Sequence, residues 1–483
     1  MSKILLWDDK TVNTSKTTAQ RIVHHALKKE KVMIFDKYWE GDDCNFFKLV
    51  KTPSEYRIYY NARAFHEIDK FDKTVKIALI TSKDGIKWRR AKIDKIPVCG
   101  IAKNNIIKDS SEFPLDNFIV FYDENPDCPK KEKYKALAMV QEPVGVMHLY
   151  CYLSEDGIDF HRGWSLFGPQ PFTDIYRDDI LIFDTANVAF YDVTKKKYVL
   201  YLRGIHNIPN DHGAPGNDVD RNLGIRDIRY SESEDFINWT KPQRLVFDKP
   251  DCPLYTNAVS KYDENVYIGF PTRYNEYKEW SDSFDELSGA DKRKAIIDKY
   301  KVDRYGLALT DCLFMYSYDG KTWDRFDEAF FTPGSESEYF WMYGSCYPCI
   351  GFIEHKDENG NCYKLSLFLT SQTIKDLKCE MYRYEIRKDG FIGYYGDFNG
   401  KTLETVPFII NGKDLYVNFS TSAAGSIRLT LKDEQGETLR SQMHFGDSVA
   451  RKIKFDKDIS SLKGKVTMIA ELKDANIYSF EIR

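Results

Sequence analysis

The sequence predicts an all-β protein, a five-bladed β-propeller followed by a C-terminal antiparallel β-sandwich. Three observations carry this reading. A box of the form Ser-x-Asp-Gly-x-x-Trp recurs as "SKDGIKW" from Ser82, "SEDGIDF" from Ser154, "SEDFINW" from Ser233 and "SYDGKTW" from Ser317. A short strand of the form Tyr-x-apolar recurs five times, beginning at Tyr56, Tyr134, Tyr198, Tyr267 and Tyr363. Aromatic residues make up 15% of the chain, a surplus that suits packing on pleated surfaces.

A chain of 483 residues is too long for one ordinary core, so a repeat architecture or several domains is expected. The box aspartates, Asp84, Asp156, Asp235 and Asp319, lie 72, 79 and 84 residues apart. Asp-Gly between alternating apolar residues signals a hairpin, because the turn needs a positive φ that glycine supplies cheaply. The aromatic residue four positions after each aspartate (Trp88, Phe160, Trp239, Trp323) then anchors the returning strand. Units of about four strands arranged radially leave only short, protected edges. Five strand markers predict five blades over residues 33–397.

Taken in order, residues 1–32 read as an N-terminal extension with a short helix in "TTAQRIVHHALKKE". Residues 205–222, rich in Gly, Pro and Asn, read as a functional rim loop on blade three. Residues 280–302 read as a helical insertion on blade four, with acids early and bases late. From residue 398 to 483 the pattern alternates apolar and polar residues between Asn-Gly and Gly turns, which predicts the small sandwich.

Charge is nearly balanced, 70 basic against 74 acidic residues, which gives no footprint for nucleic acid or a membrane surface. No apolar run has the length of a signal peptide or a membrane span. The ten cysteines lack the spacing of a disulfide framework and are expected as reduced thiols in the cytoplasm. Cys346 and Cys349 form a lone C-x-x-C pair, and no metal or cofactor is expected. The expected partner is an oligosaccharide or glycoside.

The innermost strand of each blade lines the central funnel, where a carboxylate is costly unless it is used or paired. Blade one opens with "KYWEGDD", offering Glu40 and Asp43 beside Trp39. Blade two offers Asp116 in "FPLDNF", and blade three Asp184 in "LIFDTAN", followed by Asn187. Blade five offers Glu338 and Trp341 in "SESEYFW". Acids on successive blades suit glycoside hydrolysis, in which one carboxylic acid protonates the leaving oxygen and a second acts as base or nucleophile. Glu40, Asp43, Asp116 and Asp184 are therefore the catalytic candidates, and Asp184, behind Phe183, is the foremost. In the third strands, Arg226-Asp227 and Thr310-Asp311 stand where blades one and two carry apolar residues. They read either as internally satisfied pairs or as groups that grip sugar hydroxyls. Arg273, at the end of a second strand, is a further candidate for the latter.

These repeats, first-strand acids and the terminal sandwich resemble the five-bladed propeller glycoside hydrolases, the superfamily of families 32, 43, 62 and 68. "FDTANVAFYDVTKKKYVLYLR" and "DANIYSFEIR" look most like a family-32-like branch. The resemblance implies cleavage of furanosides of fructose or arabinose type by acids on blades one, two and three. Carried over by position, these are Glu40 or Asp43, then Asp116, then Asp184. Three other readings compete: a sialidase-like hydrolase, a glycoside phosphorylase using His206, His212 and Arg221 for phosphate, and a non-catalytic carbohydrate-binding propeller.

Overall fold

The computed structural model describes residues 2–64, 74–98, 100–111, 115–171, 180–206, 225–277, 279–338, 341–372 and 378–483. The loop expected at residues 205–222 lies outside them from position 207 onward. The chain forms two compact units. One is Lys28–Ile353 with Leu367–Tyr384, and the other is Met1–Leu27, Glu354–Ser366 and Glu385–Arg483.

The first unit holds the five-bladed propeller. Blade one is built from Asn45–Lys51, Tyr56–Ala62, Lys76–Ser82 and Arg89–Arg90, hydrogen-bonded in that order. Blade two repeats the meander with Leu115–Tyr122, Tyr134–Gln141, Val146–Ser154 and His161–Ser165. Blade three uses Val188–Asp192, Lys197–His206, Ile225–Ser233 and Gln243–Arg244. In blade four the order is Ser260–Asp263, Val266–Gly269, Met315–Ser317 and Thr322–Arg325. In blade five Tyr347–Pro348, Cys362–Gln372 and Cys379–Arg387 are followed by an N-terminal strand, Leu27–Phe35. A cavity of about 260 Å³ runs between the innermost strands and is lined by all five blades, through Leu49, Phe121, Phe190, Val259 and Phe352 among others.

The four boxes are the turns expected of them. Each aspartate Oδ1 accepts the two following backbone N–H groups, as Asp84 does from Ile86 (2.9 Å) and Lys87 (2.8 Å). Each box serine accepts the N–H of the third residue on, as Ser317 does from Gly320 at 2.8 Å. That fourth position has positive φ in all four boxes: Gly85 +72°, Gly157 +75°, Phe236 +65° and Gly320 +80°. The boxes also join neighbouring blades. Tyr59 of blade one donates its hydroxyl to Gly157 O of blade two (2.9 Å), and Tyr201 of blade three donates to Gly320 O of blade four (3.0 Å). Where the box has Phe236 in place of glycine, the corresponding residue of the preceding blade is Leu137. Both lie in one hydrophobic cluster, so an apolar contact replaces the hydroxyl clasp.

The recurring strand tyrosine has a similar role. Tyr198 of blade three donates to Asp123 of blade two (2.8 Å), and Tyr267 of blade four donates to Asp192 of blade three. Asp123 also accepts from Lys135 (2.5 Å) and Asp192 from Lys261 (2.9 Å), so each carboxylate is charge-compensated where it is buried.

The N-terminal segment departs from expectation. The short helix predicted in "TTAQRIVHHALKKE" is instead strand Gln20–Val23 and the beginning of strand Leu27–Phe35. Leu27–Phe35 is the outermost strand of blade five, so the ring closes with the chain's N-terminal side, and a bare edge is covered. Local helix propensity yields here to ladder hydrogen bonds made with residues about 350 positions away in sequence.

The second unit holds the C-terminal β-sandwich, drawn from one nine-stranded sheet. Its spine is the antiparallel pair Leu415–Asp433 and Lys465–Ile482, paired from Leu415↔Ile482 to Asp433↔Val466 with register shifts between Asn418 and Phe419 and between Thr421 and Ser426. Ser2–Leu5, Gln20–Val23 and Ile392–Gly396 join the same sheet. The unit therefore takes in residues at both ends of the chain rather than 398–483 alone.

The helical insertion is present as α1 (Asp282–Glu286), α2 (Ala290–Tyr300) and α3 (Arg304–Leu307), between two paired strands, Thr272–Glu276 and Ala308–Cys312.

A Cβ added at Gly157 would lie 2.6 Å from Tyr59 Oη and 2.7 Å from the Tyr134 ring, at a φ that L residues rarely adopt. Gly157→Ala is therefore expected to cost about 1–3 kcal/mol in urea unfolding. Gly168→Ala, whose Cβ meets nothing within 4 Å, should stay within about 0.5 kcal/mol of the parent. Equal stabilities for the two variants would remove the clasp from the account of blade packing.

Candidate active site

The funnel mouth lies where the innermost strands begin. Four of the five blades have a left-handed, non-glycine residue there: Phe46 (φ 52°), Asn117 (59°), Ala258 (41°) and Cys346 (62°). Such conformations cost about 1–3 kcal/mol each and gather where a site demands them. Next to these bends stand Asp43, ahead of Asn45–Lys51, and Asp116, within Leu115–Tyr122. Asp184 lies between Ile180–Leu181 and Val188–Asp192.

An arginine near the end of the second strand meets the first-strand acid in two blades. In blade one Arg63 Nε donates to Asp43 Oδ2 at 2.8 Å, and Asp43 N donates to Arg63 O at 3.0 Å. In blade three Arg203 Nη1 donates to Asp184 Oδ1 at 2.6 Å, and its Nη2 donates to Tyr255 O at 2.6 Å. The Arg203 side chain is 3% exposed, whereas that of Asp184 is 41% exposed, so a buried cation holds a carboxylate that solvent can reach.

Blade two lacks this arginine, because its second strand ends Val140-Gln141. Asp116 accepts instead from Asn61 Nδ2 of blade one (2.5 Å) and from the Asn117 N–H (2.8 Å). Burial raises the Asp116 carboxyl above the usual carboxylate range. Arg63 and the Asn117 N–H oppose the rise, and the charges of Asp184 and Asp43 add to it. Three carboxylates from three successive blades thus act on one another. Two are held by arginines, and the third retains its proton to higher pH.

Tyrosines wall the other side. Tyr255 and Tyr343 share a hydroxyl–hydroxyl hydrogen bond of 2.5 Å, and the Tyr255 ring stacks with Tyr274 (5.6 Å) and Tyr347 (6.0 Å). Burial pushes the Tyr343 and Tyr347 hydroxyls well above their ordinary range. The charges of Asp43, Arg203 and Arg63 all reach Tyr347, which places it between the acid–arginine pairs of blades one and three. Gly344 lies beside Asp43, its Cβ position 3.7 Å from Oδ1. The insertion adds Tyr305, 5.6 Å from the Tyr343 ring, and Tyr300, 5.5 Å from Tyr305.

The other candidates divide. Glu40 is fully buried and accepts from Tyr60 Oη (2.6 Å), Arg90 Nε (2.8 Å) and Lys37 N (3.0 Å), so of the two blade-one candidates Asp43 is the one placed with Asp116 and Asp184. Trp39 donates to Asn105 (2.8 Å) and packs on the blade-one core. Asn187 is buried and bonds Phe183 O and Thr185 O, both at 2.9 Å, bracing the turn that presents Asp184. Arg226 reaches the tyrosine wall, 4.6 Å from the Tyr274 ring. Asp227 bonds Arg229 (2.8 Å) and His206 (2.8 Å), and Asp311 bonds Arg273 (2.9 Å), so both acids are engaged in pairs. Glu338 is exposed, 3.7 Å from Lys28, and Trp341 donates to Gly334 O at 2.9 Å. His212 and Arg221 lie outside the described residues.

Sequence reading missed Arg63, Arg203, Asn61 and the tyrosine wall. The arginines carried a usable signal, since both follow a Tyr-x-apolar marker within a few residues. The tyrosines carried none, being few among 32. Among the described residues no group of His, Cys, Asp or Glu is arranged to hold a metal ion. Cys346 and Cys349 are buried free thiols, with burial pushing both up. No helix among the described residues is long and apolar enough to cross a membrane.

No protein-family model matches the chain, and no curated protein does. Among solved structures, it is similar to an N-acetylgalactosamine deacetylase from F. plautii in complex with blood group B trisaccharide, at 11% identity over 77% of this chain and 96% of that one, with a TM-score of 0.46. It is similar to a GH32 β-fructofuranosidase of Bombyx mori at 9% identity over 96% and 94%, with a TM-score of 0.39. A GH130 glycoside hydrolase that targets β-1,2 mannosidic linkages in Candida mannan matches at 13% identity over 77% and 94%, also at 0.39.

The raised Asp116 carboxyl has a consequence for stability. In the unfolded chain this group ionises as an ordinary aspartate, whereas the folded protein holds its proton to higher pH. Its contribution is complete below the ordinary aspartate pKa and is lost as pH rises through the folded value. Asp116→Asn, which cannot ionise, should be at least as stable as the parent at pH 8. Its stability relative to the parent should fall on acidification to pH 4, as followed by thermal melts. A relative stability independent of pH would show that Asp116 has an ordinary pKa.

Proposed function

We propose that the protein is a glycoside hydrolase whose centre is Asp43, Asp116 and Asp184 at the propeller mouth. The observation that carries this reading is the asymmetry among the three acids. Asp184 is bonded to a buried arginine and is itself half exposed, while Asp116 accepts from an amide and a backbone N–H, and burial holds its proton to higher pH. Environments that push two carboxyls apart define an acid and a base. Asp116 protonates the glycosidic oxygen as the C–O bond breaks, and Asp184 acts on the anomeric carbon as nucleophile or through a water. A water oxygen ends on that carbon and keeps one proton as the new anomeric hydroxyl, while its other proton replaces the one Asp116 gave to the leaving oxygen. Asp43, fixed by Arg63, orients the sugar and keeps the Asp116 proton in place. The tyrosine wall offers flat faces for sugar rings. Furanosides of fructose or arabinose type are the first substrates the reading suggests.

With a panel of aryl furanosides and pyranosides, Asp184→Asn and Asp116→Asn are each expected to lower kcat/KM by about 10²–10⁴-fold while melting as folded proteins. Asp116→Asn should also lose the alkaline limb of the pH–rate profile. Undiminished turnover in Asp184→Asn would overturn the assignment. Sugar binding by a wild type that turns over nothing would favour a binding propeller.

A further inference from the structure

Four guanidinium groups stand around the tyrosine wall, and among the described residues only two are paired with carboxylates. Arg63 is joined to Asp43 and Arg203 to Asp184. Arg226, on the third strand of blade three, is 5% exposed and lies 4.6 Å from the Tyr274 ring and 5.8 Å from the Tyr255 ring. Its backbone carbonyl accepts from Leu254 N at 2.9 Å, but among the described residues its guanidinium makes no hydrogen bond or ion pair. Its neighbour Asp227 is committed to Arg229 and His206, and Asp251 bonds the other nitrogen of His206 at 3.0 Å. Arg304, the first residue of α3, lies where the charges of Tyr343, Tyr305, Tyr274 and Tyr255 reach it, and it too has no ion pair among the described residues. Tyr274, on which both arginines act, donates to Glu276 at 2.9 Å, and Glu276 pairs with neither guanidinium.

A cation buried without an anion is costly, and aromatic faces compensate only part of that cost. Sugar hydroxyls could satisfy the N–H groups but not the charge. A planar guanidinium fork matches a carboxylate, sulfate or phosphate in two-point contact. The location adds to this. Arg203, which holds Asp184, lies over the Tyr255 ring at 4.0 Å, and Arg226 lies over that ring as well. An anion between Arg226 and Arg304 would therefore sit close to the sugar that Asp184 addresses.

We propose that the site takes a glycoside whose sugar carries an anionic substituent, a carboxylate or similar oxyanion, received by Arg226 and Arg304. This deepens the glycosidase reading and rests on it. The experiment is calorimetric titration of the full chain with glucuronate and galacturonate, against glucose and galactose, at low and high salt. Inorganic phosphate and sulfate alone form a further arm. At least tenfold tighter binding of the uronates is expected, weakened by salt. Arg226→Met and Arg304→Met should abolish the preference, and Arg226→Lys should retain part of it. Arg226→Met, which removes a buried charge that has no carboxylate partner among the described residues, should melt no lower than the parent. Equal binding of neutral and acidic sugars, or a preference that survives both methionine variants, would overturn the proposal. So would inorganic phosphate binding through these arginines and accelerating turnover, since the anion would then be a separate reactant. If Asp184-dependent cleavage of neutral aryl glycosides accompanied a lack of preference, this inference would fall and the glycosidase reading would stand.

Discussion

The hydroxyl-to-neighbour clasp between blades is the interaction on which the propeller depends. A four-stranded sheet cannot bury both faces alone, and its neighbours must meet it at one angle and one height. Tyr59 on Gly157 and Tyr201 on Gly320 set the height at the box turns, and Tyr198 on Asp123 and Tyr267 on Asp192 set it at the first hairpins. These contacts are directional, whereas the apolar packing around them is tolerant of small shifts. Phe236 tests the rule from the other side. It keeps the left-handed turn without glycine, and its neighbouring blade offers Leu137 in place of a tyrosine.

With blade height fixed, the chemistry follows from where the second strand ends. In blades one and three it ends beside an arginine that meets the first-strand acid. In blade two it ends with glutamine, and Asp116 is left with an amide and a backbone N–H. One residue type at one position therefore separates a carboxylate paired with arginine from one whose carboxyl burial raises. The neighbouring charges of Asp184 and Asp43 add to the rise at Asp116. The insertion on blade four, peripheral in topology, brings Tyr300, Arg304 and Tyr305 to the same mouth.

Much of this was legible in the residues. The box and strand markers gave the blade count, and the acids opening blades one to three offered Glu40 or Asp43, then Asp116, then Asp184. The helical insertion was legible as well, from its charge order. Glu40 and Asp43 looked alike in "WEGDD", because nothing local shows that Arg90, 50 residues on, would claim the first. Asp227 and Asp311 were open to two readings, as paired acids or as groups that grip sugar, and the structure pairs them with Arg229 and His206 and with Arg273. The N-terminal helix was misjudged because propensity describes an isolated segment, and this one is recruited by the last blade.

What the sequence alone determined is whatever repeats or alternates: the strand period, the box turn, the blade number and the sandwich texture. These depend on contacts within a hairpin or with the next unit, so their residues recur at regular spacing. Only the tertiary structure decided which acid is paired, which carboxyl is raised by burial and which arginines have no carboxylate among the described residues. Those properties belong to groups brought together from different blades, and electrostatic interaction depends on distance in space rather than along the chain.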